Sequence, residues 1–273
     1  MKQKTTALLI SAAAGLGTLA YAVAPGRATP GQKAPFYGRY FAHRGLHTGN
    51  SAAPENSITA FRMAANVGYG VELDVHLTAD NQVVVFHDSD LSRMTGTEGR
   101  IEEFTYDQLQ QLRLDHSAET IPLLKEVLQV IAGSGPIILE LKPAGKQRST
   151  LCRLVCDLLE DYPGDVCVES FDPLALKWFR RHAPEYLRGQ LAAPPWEYDR
   201  TVSPPLAFLL GNCLCNFLSR PQFIAYKLGH KPAAVHLAEA MGAMTVSWTS
   251  TSLKDKKYQD AIIFEHYRPD LFL

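Results

Sequence analysis

The stretch Gly70-Val71-Glu72-Leu73-Asp74-Val75-His76-Leu77 decides how the rest of the chain is read. Side chains alternate between two faces along a β-strand. Val71, Leu73, Val75 and Leu77 therefore make one apolar face, suited to packing on helices. Glu72, Asp74 and His76 share the other. Carboxylates two residues apart on a strand lie about 7 Å apart along it, close enough to hold one cation. Buried without a cation or partner, they would be costly. A solvated edge strand is the competing reading, and the apolar residue at every other position weighs against it. The acidic face is expected to point into a barrel or its mouth.

Outward from this strand, short apolar runs alternate with helical patterns. Strands are expected at 40–43, 70–77, 82–87, 136–141, 165–171, 187–191, 223–226 and 244–248, with a short, peripheral run at 261–264. Helix-like segments fall at 57–67, 121–131, 150–160, 173–182, 204–217 and 232–241. Asn56 or Ser57 can cap the first of these, and Asp172 before Pro173 makes a helix start. Alternating β and α units imply a parallel sheet. Eight strands within a chain of 273 residues suit a closed (β/α)8 barrel, which takes about 250 residues. The polar stretch from Ser89 to Thr120 fits no βα unit. It reads as a small insertion after the third strand, lying over one end of the barrel.

The same alternation places Glu140 and Lys142 on one face of Ile137-Ile138-Leu139-Glu140-Leu141-Lys142. They can neutralise each other at a strand end. They can also supply a third oxygen ligand and a phosphate contact. Glu72, Asp74 and Glu140, without thiolates, favour a hard divalent cation, Mg²⁺ or Ca²⁺, over zinc. His43 and His87 each sit where a strand passes into a loop, at the end of the strands where barrel active sites lie. Their pKa range suits a general acid and a general base. Arg44 offers a planar fork for phosphate. Trp248 offers an apolar or stacking wall for substrate, with core packing as an equal reading.

Composition narrows the partners. The hydrophobic fraction is 46%, the charged fraction 20% and the net charge -1, an ordinary globular balance. With no basic excess, nucleic acid is not expected as a main partner. Five cysteines are an odd count in a large chain, which speaks for free thiols over a disulfide framework. At the N-terminus, Lys2 and Lys4 precede an apolar run from Ala7 to Ala24, just long enough for one membrane span. An A-x-A element at Ala20-Tyr21-Ala22 gives a cleaved secretory signal as the alternative. The expectation is a membrane anchor and spacer over 1–36, with Pro25 to Pro35 flexible, and a barrel over 37–273. Arg27, Lys33 and Arg39 balance the two lysines, so charge does not orient the anchor.

These residues resemble the glycerophosphodiester phosphodiesterase family. The match runs through His43-Arg44-Gly45, Pro54-Glu55-Asn56-Ser57, Gly70 to Val75, Val85-Phe86-His87-Asp88, Leu91 to Gly96, Ile121-Pro122-Leu123, Leu139 to Lys142 and Glu169 to Asp172. The resemblance implies a TIM barrel that hydrolyses glycerophosphodiesters to sn-glycerol 3-phosphate and an alcohol. It places metal ligands on Glu72, Asp74 and Glu140, acid–base histidines on His43 and His87, phosphate contacts on Arg44 and Lys142, and a metal-linked role on Glu55. The chain departs from the family at Phe264-Glu265, where a Thr-Asp pair is common, and at Ser250-Thr251, where Val-Asn is. Both departures fall in the wall formed by the last strands, away from the expected metal and histidine core. A lipid-directed phosphodiesterase of the lysophospholipase D type is the alternative reading. It predicts a long apolar groove at the mouth, whereas a water-soluble diester predicts a small polar pocket. A non-catalytic barrel that binds a phosphate ligand predicts lost catalytic residues.

Overall fold

The computed structural model describes residues 14–47, 52–257 and 259–273. The strands are β1 (Arg39–Ala42), β2 (Gly70–Leu77), β3 (Val83–Val85), β4 (Ile137–Leu141), β5 (Val166–Ser170), β6 (Arg188–Ala192), β7 (Phe223–Lys227), β8 (Met244–Ser250) and β9 (Ala261–Phe264). β1 pairs in parallel with both β2 and β9, so the sheet closes on itself. The other neighbours are β2–β4, β4–β5, β5–β6, β6–β7, β7–β8 and β8–β9, all parallel. The result is an eight-stranded parallel barrel with helices outside, the expected (β/α)8 fold.

Two strands exchange the roles expected of them. β3 pairs antiparallel to β2, with Val85 opposite Val75, and forms a hairpin extension instead of a barrel stave. β9, expected at the periphery, is the stave that closes the barrel. All four of its residues are buried. A strand covered on both faces reads as a continuous apolar run with no alternation, so Ala-Ile-Ile-Phe carries little sign of its importance.

Local signals place the helices. Ser57 caps Ile58–Val67, its side chain accepting from the Ala60 N–H. Asp172 caps Pro173–His182 by accepting from the Leu174 N–H. The segment expected as one helix over 204–217 splits into Pro204–Gly211 and Asn216–Ser219, and Cys213 between them turns left-handed at φ 54°.

By strand alternation, Ile138 and Glu140 face the barrel interior together, opposite Glu72 and Asp74 of β2. An apolar cluster that includes Phe41, Ile138, Cys167, Phe223, Val246 and Ile263 fills the lower barrel. The charged residues therefore sit above an apolar floor. The insertion lies between β3 and the helix Leu124–Ile131. It has its own core, in which Leu91, Ile101, Leu109, Leu114 and Ile121 pack on Val84 and Phe86. All five cysteines are free thiols.

The N-terminal expectation is overturned. Among the described residues, no helix is long and apolar enough to cross a membrane. Residues 14–23 are helical. The helix spends its apolar end on the barrel wall: Val23 is fully buried with Ala192, Cys213, Ile224 and Tyr226. Lys2, Lys4 and the first part of the apolar run lie outside the described residues. The segment expected as a flexible spacer is also ordered. Arg220 donates to the carbonyls of Tyr21 and Ala24, and the Gly26 N–H donates to the Pro221 carbonyl. Thr29 and Gln32 form a capping box around the short helix Pro30–Lys33. Phe36 then stacks on Phe41, centroids 6.3 Å apart, and joins the lower-barrel cluster. This segment is the floor of the barrel.

Candidate active site

β1 ends in a turn that the sequence His43-Arg44-Gly45 forces. Arg44 and Gly45 both adopt left-handed backbone, φ 54° and 80°. A Cβ on Gly45 would lie 2.9 Å from the Ala60 carbonyl carbon. The turn aims the Arg44 N–H at Glu72 Oε2, 3.0 Å away. Gly45→Ala is therefore expected to lower stability by about 1–3 kcal/mol and to disturb Arg44. Denaturant unfolding measures this, and a variant with wild-type stability would show that the turn can relax.

Glu72, Asp74 and Glu140 are all buried and offer carboxylate oxygens that lie within 4.8 Å of one another. The Arg44 N–H holds Glu72, and neighbouring side chains hold the other two. Asp74 Oδ2 accepts from Asn56 Nδ2 at 2.9 Å. Lys142 Nζ lies 3.1 Å from Asp74 and 3.0 Å from Glu140. The pairing of Glu140 with Lys142 and the gathering of three carboxylates thus both occur. Burial, reinforced by Asp74, Glu169 and Glu140, raises the Glu72 carboxyl well above its ordinary range. Burial also pushes Glu140 up to about 8. Burial opposes ionisation of Asp74, but the Lys142, His87 and Arg44 charges hold it well below the usual carboxylate range. A pocket that forces protons onto carboxylates is short of positive charge, and an all-oxygen donor set fits a hard divalent cation. Glu169, in register with Glu140, is a further buried carboxyl raised by burial and by its acidic neighbours.

Each expected histidine has a carboxylate of its own. His43 Nδ1 lies 2.8 Å from Glu265 Oε2, and its Nε2 lies 3.9 Å from Glu72 Oε2. His87 Nδ1 lies 2.6 Å from Asp88 Oδ1. Burial lowers the pKa of His43, with Glu265 opposing. The hydrogen bond from His43 outweighs burial and keeps Glu265 ionised. An ionised carboxylate only accepts, so Nδ1 carries the proton and Nε2 is left with its lone pair. The departure from the family at Phe264-Glu265 therefore reaches the histidine directly.

Glu55 falls outside the three-carboxylate group. Its Oε1 accepts from Arg44 Nη1 at 2.8 Å and from Arg93 Nη2 at 2.5 Å. His76 shares the acidic face but turns to the carbonyl of His87, 3.2 Å from Nε2; burial depresses its pKa to about 4. Trp248 packs edge-on against Phe171, centroids 6.1 Å apart, and donates from Nε1 to the Ala192 carbonyl. Phe171 lines the main cavity, and Trp248 backs it. That cavity has a volume of about 740 Å³ and opens beside His87, Glu140 and Lys142.

Asn56, Asp88, Arg93 and Glu265 complete the constellation without having been singled out by residue type. Asn56, Asp88 and Arg93 lie inside the motifs Pro54 to Ser57, Val85 to Asp88 and Leu91 to Gly96. Glu265 gives no local signal, because closure of β9 onto β1 is what brings it to His43.

Similarity to known proteins agrees with this geometry. The profile of the Glycerophosphoryl diester phosphodiesterase family matches residues 43–266. The chain belongs to that family, and it is a phosphoric diester hydrolase. It is 36% identical over 157 residues to a glycerophosphodiester phosphodiesterase of Bacillus altitudinis, across 54% of this chain and 63% of that one. It is 28% identical over 261 residues to Glycerophosphodiester phosphodiesterase 1 of Bos taurus, across 85% of this chain and 77% of that one. Among solved structures, a phosphodiesterase of Oleispira antarctica in complex with its product sn-glycerol-3-phosphate superposes with a TM-score of 0.68 at 24% identity, covering 84% and 93% of the two chains. A glycerophosphodiester phosphodiesterase of Parabacteroides distasonis gives 0.64 at 26% identity, with the same coverage.

Proposed function

We propose that the chain hydrolyses glycerophosphodiesters to sn-glycerol 3-phosphate and an alcohol with the aid of a divalent cation, Mg²⁺ or Ca²⁺. The supporting observation is the buried meeting of Glu72, Asp74 and Glu140 between two histidines that each have an anionic partner. These three carboxylates would hold the cation, which when bound supplies Lewis-acid stabilisation of the phosphate. Arg44 and Lys142 offset charge on the non-bridging oxygens. His43, neutral and bare at Nε2, takes the proton from the nucleophile, water or the glycerol 2-hydroxyl. His87 gives a proton from Nε2 to the departing alkoxide. Glu265 accepts the Nδ1 proton of neutral His43 and so leaves its Nε2 bare to take a proton, whereas Asp88 accepts the Nδ1 proton of the His87 imidazolium, whose second proton, on Nε2, is the one given up.

The cavity supports a water-soluble diester over an acyl-bearing one. Among the described residues, Asp88, Asp90, Arg93, Arg100, Asp172 and Asp199 line it, together with the Phe171 ring. Among the described residues, the cavity beside His87 carries these charges along its edge, in contrast to the long apolar groove expected for a lipid-directed enzyme. The test is release of sn-glycerol 3-phosphate from glycerophosphocholine and glycerophosphoethanolamine with Mg²⁺, with Ca²⁺ and with EDTA. Cation-dependent release is expected. Release in EDTA would exclude the cation, and no release with either ion would exclude the substrate class.

A further inference from the structure

The two halves of the site are joined by a chain of ion pairs that the proton and phosphate chemistry alone does not require. Arg44 Nη1 meets Glu55 Oε1 at 2.8 Å. Arg93 Nη2 meets the same oxygen at 2.5 Å, and Arg93 Nη1 meets Glu55 Oε2 at 3.1 Å. Arg93 Nε meets Asp88 Oδ2 at 2.6 Å, and Asp88 Oδ1 meets His87 Nδ1 at 2.6 Å. Arg93 stands at the centre. It is the only contribution of the short helix Ser92–Thr95 to this chain of contacts, and it comes from the insertion, which stands outside the barrel.

We infer that Arg93 is a positioning residue, a clamp that sets His87 and Arg44 at once. The planar guanidinium makes this possible. Its three nitrogens present donors in a fixed fork, so one side chain can grip Glu55 along one edge and Asp88 from Nε. Glu55 then holds the Arg44 fork toward the carboxylate cluster, where Arg44 Nε lies 3.7 Å from Asp74. Asp88 holds the His87 ring by Nδ1. A lysine, with one point of charge, cannot span both carboxylates in this way. Met94, the next residue, is buried in the apolar core of the insertion, which anchors the short helix and so fixes where the Arg93 side chain begins. The side chain itself is 49% exposed. The ion pairs therefore add little to stability, and their effect is expected in geometry. The insertion, on this account, is a working part of the site.

This inference rests on the acid role of His87 proposed above, and the test separates the two. Turnover is measured for the wild type, Arg93→Ala, Arg93→Lys, Asp88→Asn, Arg93→Ala/Asp88→Asn and His87→Ala, with a thermal melt for each. Arg93→Ala is expected to lower kcat by about 10–100-fold, with KM little changed. Adding Arg93→Ala to Asp88→Asn is expected to cost much less than the product of the two single losses. Millimolar guanidinium is expected to restore part of the kcat of Arg93→Ala. Arg93→Lys, which keeps the charge, is expected to fall between wild type and alanine. If Arg93→Ala melts early, Arg93→Lys carries the test by itself. Wild-type kcat in Arg93→Ala or Arg93→Lys overturns the clamp, as does a rise in KM at unchanged kcat, which would make Arg93 a substrate contact. Multiplying losses in the double variant also overturn it. His87→Ala with wild-type turnover overturns the acid–base reading itself. An inactive His87→Ala beside a fully active Arg93→Ala overturns the clamp alone.

Discussion

His43→Ala lowers kcat by about 10²–10⁴-fold, the usual worth of a positioned general base, and leaves KM little changed. The expectation follows from what the ring is given to do. It is buried, its Nδ1 proton is committed to Glu265, and its Nε2 faces the carboxylate cluster. Because burial depresses its pKa below the ordinary 6.5, the ring is neutral at neutral pH and ready to accept. Below its pKa it is protonated and cannot accept, so kcat/KM should fall on the acid side, with a midpoint under 6.5. Glu265 pulls this pKa upward, with a smaller pull from Asp74. Glu265→Gln removes the larger pull, so the acid limb should move further down while kcat drops. A limb that moves up in Glu265→Gln, or an equal loss of binding and turnover in His43→Ala, would contradict the assignment.

Glu72→Gln should be at least as damaging to activity, and should do the opposite to the metal-free fold. Lewis-acid stabilisation of a phosphate is worth several kcal/mol, so losing a ligand is expected to cost at least about 10³-fold in kcat/KM. The amide oxygen can still accept from the Arg44 N–H, so the turn at the end of β1 is kept. Stability follows from the protons. Glu72 and Glu140 are raised by burial from an ordinary value of 4.5, Glu140 to about 8. Over that interval the fold binds more protons than the unfolded chain. The Glu140 contribution is therefore full below about pH 4.5 and is lost as pH rises through about 8, and that of Glu72 is likewise lost with rising pH. Asp74, depressed against burial by Lys142, acts in the other direction and only at acid pH. The metal-free wild type should thus melt lower at pH 8 than at pH 6. A divalent cation should reverse this, by about 2.7 kcal/mol at a hundredfold excess over Kd. Glu72→Gln should melt higher than wild type without cation at pH 8, and should gain little from added Mg²⁺ or Ca²⁺. An undiminished cation shift in the variant would move the site elsewhere.

Much of this was legible because strand alternation is a strong code. Glu72, Asp74 and Glu140 could be placed on inward faces from two short runs, since apolar residues at the other positions left little choice. His43, His87, Arg44 and Lys142 followed as residues at strand ends. Partners contributed by distant segments did not follow. Glu265 reaches His43 only through the β1–β9 pairing, 222 residues apart in sequence. Arg93 reaches Glu55 only because the insertion folds back on its own core. The roles of β3 and β9 were exchanged for a related reason. Three valines and a buried Ala-Ile-Ile-Phe carry the same apolar signal, and only the closing geometry distinguishes a hairpin strand from a stave. At the N-terminus, an apolar run has the same composition whether it meets lipid or a barrel wall. Within the described part of that run, Val23 packs on the barrel wall.

The pairing of β9 with β1 also sets an order of events during synthesis. Glu72, Asp74, Glu140 and Lys142 have all emerged by residue 142, on or beside strands that neighbour each other. Glu265 emerges well after them, directly behind β9. Until β9 docks, β1 lacks one neighbour and His43 lacks its anion. A nascent chain still tethered to the ribosome can thus assemble its carboxylates but not the His43–Glu265 pair. Hydrolytic competence arrives with the final stave, and a chain that stalls short of it is left as an open sheet with unpaired edges on β1 and β8, the kind of species that aggregates.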